Sequence, residues 1–173
     1  MLVRRETPAD IPAIRAVTAA AFADPAAPDR IPGEVGLVDE LRGGADWLPA
    51  LSLVALDGDG TPIGHVLCTR GRVGTAPALA LAPLAVRPDR QRRGVGLALV
   101  HTVLGAADAL GEPLVALLGD PAYYRRFGFR PAADHGIAPP VPRWEPHFQV
   151  RALSAAPPAL QGTFHYPEPF ARL

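Results

Sequence analysis

Val86-Arg87-Pro88-Asp89-Arg90-Gln91-Arg92-Arg93-Gly94-Val95-Gly96 is the stretch on which the reading of this chain turns. It lies between an apolar run, Leu79 to Val86, and a long helical pattern, Gly94 to Leu110, in which Leu97, Val100, Leu104 and Ala107 recur at three-four spacing. A helix N-terminus leaves backbone N–H groups unpaired and carries a partial positive charge, so it attracts an anion. Gly94 and Gly96 lack Cβ atoms, which lets a phosphate come close to the main chain. Arg90, Arg92 and Arg93 add charge at the same place. The stretch therefore reads as a diphosphate site. Two nucleotide fingerprints are excluded: a P-loop needs a lysine after its glycines, and the chain has none, while a dinucleotide loop needs glycine where Leu99 stands.

Working outward, Leu114 to Leu118 is the next strand, so strand, helix and strand make a parallel pair joined by a right-handed crossover. A short helix is expected over Pro121 to Arg126. On the N-terminal side, Leu51 to Leu56 and Ile63 to Thr69 flank Asp57-Gly58-Asp59-Gly60, a hairpin pattern. Pro83 cannot donate to a ladder, so pairing should break within the Leu79–Val86 strand. Leu2 to Arg5 reads as a strand. Thr7-Pro8-Ala9-Asp10 starts a helix carrying Ile11, Ile14, Val17 and Phe22 inward, and Glu34 to Arg42 forms a second, with Leu37, Val38 and Leu41 inward. Phe148 to Leu153 is a further strand, and the proline-rich tail from Pro157 shows little periodicity. The expectation is a mixed α/β fold, with antiparallel strands first and a βαβ unit at the centre.

The chain has 173 residues, 49% of them hydrophobic and 20% charged, and its formal net charge is zero. That size favours one domain over residues 1–173, with a core to about 131 and a C-terminal extension over 132–173. Zero net charge argues against a general binder of nucleic acid or anionic membranes. Cys68 is the single cysteine, so no intrachain disulfide forms. His135, His147 and His165 lack ligand spacing, so no metal site is expected. The first ten residues lack an apolar signal segment, and no apolar run reaches 18 residues, so the expected location is cytoplasmic.

The Gln91-x-x-Gly94-x-Gly96 turn after a strand resembles the acetyl-CoA signature of the GNAT superfamily of N-acetyltransferases. Gly119 to Phe129 is similar to the family's second motif, which closes in Tyr124-x-x-x-Gly128-Phe129. The segments Ile63 to Leu67 and Leu81 to Val86 also resemble one subgroup, the YhbS-like acetyltransferases. The resemblance implies the GNAT fold, acetyl-CoA as acyl donor without a metal, and acetyl transfer to a primary amine by direct attack on the thioester. The acceptor would be a small-molecule amine or a protein N-terminus or side chain. A homodimer is common in the family.

Residue by residue, the resemblance places Leu84, Ala85 and Val86 along the pantetheine arm and the pyrophosphate on Gln91, Arg92, Arg93, Gly94, Val95 and Gly96. An N–H at the strand end, that of Val86, would polarise the thioester carbonyl. Tyr124 would protonate the leaving thiolate and also touch the cofactor. For the base, His65 and Glu34 are the candidates, with water an equal alternative. His65 is expected to share a strand face with Ile63 and Leu67, which suits a core residue as well as a base; Glu34 lies on the helix that lines the acceptor site in many members. Trp47 and Trp144 flank proline-rich loops and either anchor them or wall the acceptor pocket. The competing reading is a non-catalytic acyl-CoA-binding sensor or partner module, which would need the Gln91–Gly96 turn but not Tyr124. A nucleic-acid-binding domain using Arg87 to Arg93 is weaker, since no exposed aromatics stand near for stacking bases.

Overall fold

The computed structural model describes residues 1–158 and 160–172. Strands β1 (Leu2–Arg5), β2 (Ser52–Leu56), β3 (Pro62–Val73), β4 (Ala76–Val86), β5 (Leu114–Leu118), β8 (Phe148–Ala152) and β6 (Arg130–Pro131) pair in the order β1-β2-β3-β4-β5-β8-β6. Within this path only β4 and β5 run parallel, and helix α3 (Val95–Ala109) makes the crossover between them. The mixed fold with its central βαβ unit is thus as expected.

Helix α3 covers one face. Its Val95, Leu99, Val100, Val103, Leu104 and Ala107 are buried against β2, β3, β4 and β5. Leu97, expected on that stripe, is instead 43% exposed, and Leu99 and Val103 take the inward places. Gly64 lets this helix dock closely: a Cβ there would lie 2.9 Å from both Val95 Cγ1 and Leu99 Cδ1. The opposite face carries α1 (Ile11–Ala21) and α2 (Gly33–Gly43), whose Ile14, Leu37, Val38 and Leu41 pack on Val54, Leu56 and Leu67. The start of α1 is a capped 3-10 turn over Pro8–Asp10. The buried Asp10 carboxylate accepts from the Thr7 N–H at 2.7 Å and from Arg4 at 2.7 and 2.9 Å.

The hairpin of β3 and β4 is longer than the sequence pattern indicated. It turns at Gly74–Thr75, and Gly74 has a φ of 57° that suits glycine. Strand β2 covers the first half of β3. The tip of β3 is covered by β9 (Gly162–His165), which pairs Phe164 with Val73 and His165 with Arg72, and which also pairs with β7 (Ile137–Ala138). The proline-rich tail is therefore built into the sheet. Phe164 is fully buried, and Gly71 makes room for it, because a Cβ at Gly71 would lie 2.7 Å from Phe164 Cζ.

Candidate active site

Strands β4 and β5 are hydrogen-bonded neighbours at Leu79↔Val115 and Ala80↔Ala116, and then separate. The cause lies in β4. Val66 pairs with Leu84 but Cys68 pairs with Leu81, so Ala82 and Pro83 together oppose Leu67. Two residues facing one is a β-bulge, and the bulged strand bends. The interruption expected at Pro83 is this bulge, and it opens a slot between β4 and β5.

Beyond the bulge, the Arg87 N–H donates to Ile63 O at 3.0 Å. Backbone groups alternate sides along a strand, so Ala85 turns its N–H toward β3 as Arg87 does, while Leu84 and Val86 direct theirs into the slot. Ala85 is fully buried and stands opposite His65. Of the three strand residues expected beside the pantetheine arm, Leu84 and Val86 face the slot and Ala85 faces the interior.

The slot runs to the start of α3. Gly94 caps that helix with a φ of 85°, and Arg92 adopts a φ of 58°. The Gln91 side chain donates to Val86 O at 3.1 Å and so ties the loop back to the strand. These features shape a cleft of about 670 Å³, lined by Leu84, Val86, Gln91, Arg92, Gly94 and Gly96 and closed by Tyr123 and Arg126. Arg126 stacks over the Tyr123 ring at 4.9 Å. The Tyr123 hydroxyl lies so near Gly96 that a Cβ there would be 2.7 Å from it. Val95 has its side chain in the core, so only its backbone can face a ligand. Arg93 is exposed and lies outside the lining. Arg87 pairs with Asp89 at 2.6 Å and Arg90 with Asp57 of the β2–β3 turn at 3.7 Å, so both are engaged by neighbouring carboxylates.

A second cavity of about 450 Å³ continues from the first, sharing Phe22 and Leu84 with it. Glu34, Pro83, Gly119 and Tyr124 line it. Gly119 is what lets the Tyr124 ring lie here: a Cβ at that position would sit 2.4 Å from Tyr124 Cε2. The ring packs edge-on against Tyr123 and Phe129, and burial pushes its phenol well above the usual phenol value. The adjacent tyrosines are thus divided between the two parts of the cleft.

His65 lies elsewhere. A register shift between Ala55 and Leu56 places a bulge at Ile63, so Ile63 packs with the α3 face while His65 and Leu67 point to the α1/α2 face. The expectation that all three share a face fails for this reason. His65 is fully buried. Its Nε2 lies 2.9 Å from Ser52 Oγ and 3.0 Å from Glu6 Oε2, and its Nδ1 has no partner among the described residues. Ser52 Oγ and the Arg42 guanidinium also donate to Glu6, the latter at 2.7 Å. Burial holds the imidazole neutral, lowering its pKa, and the hydrogen bonds from His65, Arg42 and Ser52 outweigh burial at Glu6, lowering that carboxyl to about 2. A neutral ring that donates from Nε2 satisfies this geometry. His65 does not line the cleft.

The two tryptophans also separate. Trp47 packs beside α2 under Arg42, 5.5 Å from its ring, whereas Trp144 lines the second cavity. Burial raises the Cys68 thiol pKa, which suits an inert core residue. Phe22, Gly119, Tyr166 and Phe170 line the cleft without having been singled out for it from sequence. Leu97 and Leu118, each 43% exposed, stand on the cleft walls as well, and nothing in their sequence neighbourhood marked them for it. Among the described residues no helix is long and apolar enough to cross a membrane, and no cluster of three or more His, Cys, Asp or Glu could hold a metal.

Residues 26–129 match the model of the acetyltransferase (GNAT) family. The chain is 38% identical over 177 residues, 99% of each chain, to YhbS of Escherichia coli (strain K12), an uncharacterized N-acetyltransferase. The crystal structure of E. coli YhbS in complex with CoA superposes with a TM-score of 0.89 at 34% identity, covering 99% of this chain and 92% of that one. A GNAT family acetyltransferase from Brucella melitensis in complex with acetyl-CoA gives 0.77 at 33% identity, covering 98% and 97%.

Proposed function

We propose that this chain, which belongs to the acetyltransferase (GNAT) family, transfers an acetyl group from acetyl-CoA to a primary amine by direct attack of the amine on the thioester. The observation that carries the reading is the continuity of the cleft, from the N-terminus of α3 along the splayed edge of β4 to Tyr124, with Phe22 and Leu84 common to both parts. Two similar solved structures hold CoA or acetyl-CoA, which supports the same donor here.

The first turn of α3 offers N–H groups of Val95, Gly96 and Leu97 to the diphosphate, with Arg92 at its side. Leu84 and Val86 offer backbone groups to the pantetheine arm. The N–H of Leu84, at the junction of the two cavities, is better placed than that of Val86, the group expected from sequence, to receive the charge developing on the thioester oxygen. The amine enters from the second cavity, where Glu34 is the free carboxylate nearest to hand for its proton, directly or through water. His65 is too enclosed for that task. As the C–N bond forms and the C–S bond breaks, the Tyr124 hydroxyl gives its proton to the departing sulfur. A phenol whose pKa burial has raised stays protonated at neutral pH and is ready for that step. That Trp144, Tyr166 and Phe170 line the second cavity supports reading the C-terminal segment as part of the same domain.

Calorimetric titration with acetyl-CoA of the wild type and of Gly94→Glu tests the donor site. Binding by the wild type and its loss in the variant are expected, with circular dichroism to confirm that the variant folds. A wild type that does not bind acetyl-CoA would overturn the proposal. Thiol release with an amine panel, on wild type and Tyr124→Phe, tests catalysis. Binding without amine-dependent thiol release would favour the sensor or partner module instead.

A further inference from the structure

We infer, building on the acetyl-transfer reading above, that the acceptor is a small amine carried on an apolar, ring-bearing body with no carboxylate beside the amine. The family match ends at residue 129, yet much of the acceptor wall lies beyond it. Trp144 comes from the turn before β8, and Tyr166 and Phe170 from the segment after β9. The three rings form one surface: Trp144 meets Tyr166 edge-on at 6.3 Å, and Tyr166 lies 4.6 Å from Phe170. The pairing of β9 on β3 holds Tyr166 in place. Leu118, 43% exposed, adds apolar surface at the same cavity. Such a wall offers an aromatic or aliphatic body contact without hydrogen bonds.

The charges select the rest of the acceptor. Among the described residues that line this cavity, Glu34 and Asp120 are the charged ones, and both are acidic. Asp120 is exposed at the rim, and one of its carboxylate oxygens accepts from the Ala122 N–H at 2.8 Å as the cap of the short helix α4 (Pro121–Tyr124). Glu34 makes no ion pair or hydrogen bond among the described residues, so it is the free partner for an incoming ammonium. No arginine or histidine lines the cavity among those residues, so the carboxylate of a free amino acid would be desolvated beside Glu34 without a cation. A polyamine has no ring to set against this wall, so its body gains little contact there. At about 450 Å³, part of it shared with the thioester end, the space suits one ring and a short chain.

The experiment is thiol release by the full chain with acetyl-CoA and matched amines: phenethylamine against phenylalanine, then spermidine and a lysine-containing peptide. Phenethylamine is expected to exceed each of the others by about tenfold or more in kcat/KM, the scale on which apolar contact in a pocket discriminates. Trp144→Ala is expected to raise the KM for phenethylamine about tenfold, Trp144→Phe to retain most of the wild-type KM, and both to bind acetyl-CoA as the wild type does. Phenylalanine, spermidine or the peptide matching phenethylamine would overturn the inference. So would acetyl-CoA binding with no amine turned over, an outcome that leaves the donor site standing. Failure to bind acetyl-CoA would instead remove the acetyl-transfer reading itself.

Discussion

Adding one methyl group at Gly119 tests whether Tyr124 must lie where it does. A Cβ at this position would sit 2.4 Å from Tyr124 Cε2 and 2.9 Å from Cδ2, with Leu117 Cδ1 at 3.3 Å. Carbon atoms settle at about 3.5–4.0 Å, so in Gly119→Ala the ring must retreat by roughly 1 Å. It cannot do so freely, since Tyr123 and Phe129 hold it at centroid distances of 4.9 and 5.8 Å. Overpacking of this kind costs about 1–3 kcal/mol, which for a chain of this size lowers Tm by about 2–10 °C. A displacement of about 1 Å from reacting geometry costs on the order of a hundredfold in rate. The expected result is a fall in kcat of about 30- to 100-fold, while acetyl-CoA affinity by calorimetry stays within about twofold. Tyr124→Phe, which removes the hydroxyl and keeps the ring, should lose at least about a hundredfold in kcat with little change in Tm. Because both changes disable one group, the double variant should fall no further than Tyr124→Phe alone, a non-additivity that a double-mutant cycle measures. A folded Gly119→Ala enzyme with wild-type kcat would refute the placement argument and the acid role of Tyr124 with it.

Stability should decline in acid. The Glu6 carboxyl, lowered to about 2, contributes stability that is complete above its usual value near 4.5 and lost as pH falls toward 2. His65, whose folded pKa is also lowered, acts in the same direction, because below about pH 6.5 the unfolded chain takes up a proton that the buried ring resists. Urea midpoints measured from pH 7 down to pH 3 should fall steadily in the wild type and less steeply in Glu6→Gln; parallel curves would contradict this account. His65→Gln should lower Tm yet leave kcat within about threefold, and a loss of about a hundredfold in a folded protein would return His65 to the candidate bases. Gln91→Ala releases the tether on Val86 O and should weaken acetyl-CoA binding by about three- to tenfold, on the scale of one hydrogen bond; unchanged affinity would show the loop to be ordered without it.

The sequence alone was enough for the central unit, and the reason is local. A strand, a glycine-bearing turn and a helix start are each specified by neighbouring residues, so Val86 to Gly96 announced both the βαβ crossover and the turn that opens α3. The Pro83 interruption followed equally from chemistry carried by one residue. Helix α3 was legible in length but rotated in the reading, because Leu97 is as apolar as Leu99 and only the docked sheet distinguishes them. His65 shows the same limit: strict alternation put it beside Ile63, and a bulge created by pairing with β2 moved Ile63 to the other face. Strand β9 carries four residues among prolines and gains its identity from β3, too little for a pattern to reveal.

The second cavity, the proposed acceptor pocket, was the least legible part. Glu34 and Tyr124 were named from sequence, yet the walls Phe22, Trp144, Tyr166 and Phe170 come from four separated segments, and no short-range rule ties them together. What the sequence determined is the proposed donor side, because a run of consecutive backbone N–H groups at a helix start is written in consecutive residues. What the tertiary structure decided is the second cavity, the proposed acceptor side, because a cavity exists only once distant side chains are brought to face one another, and its charge and shape belong to that assembly.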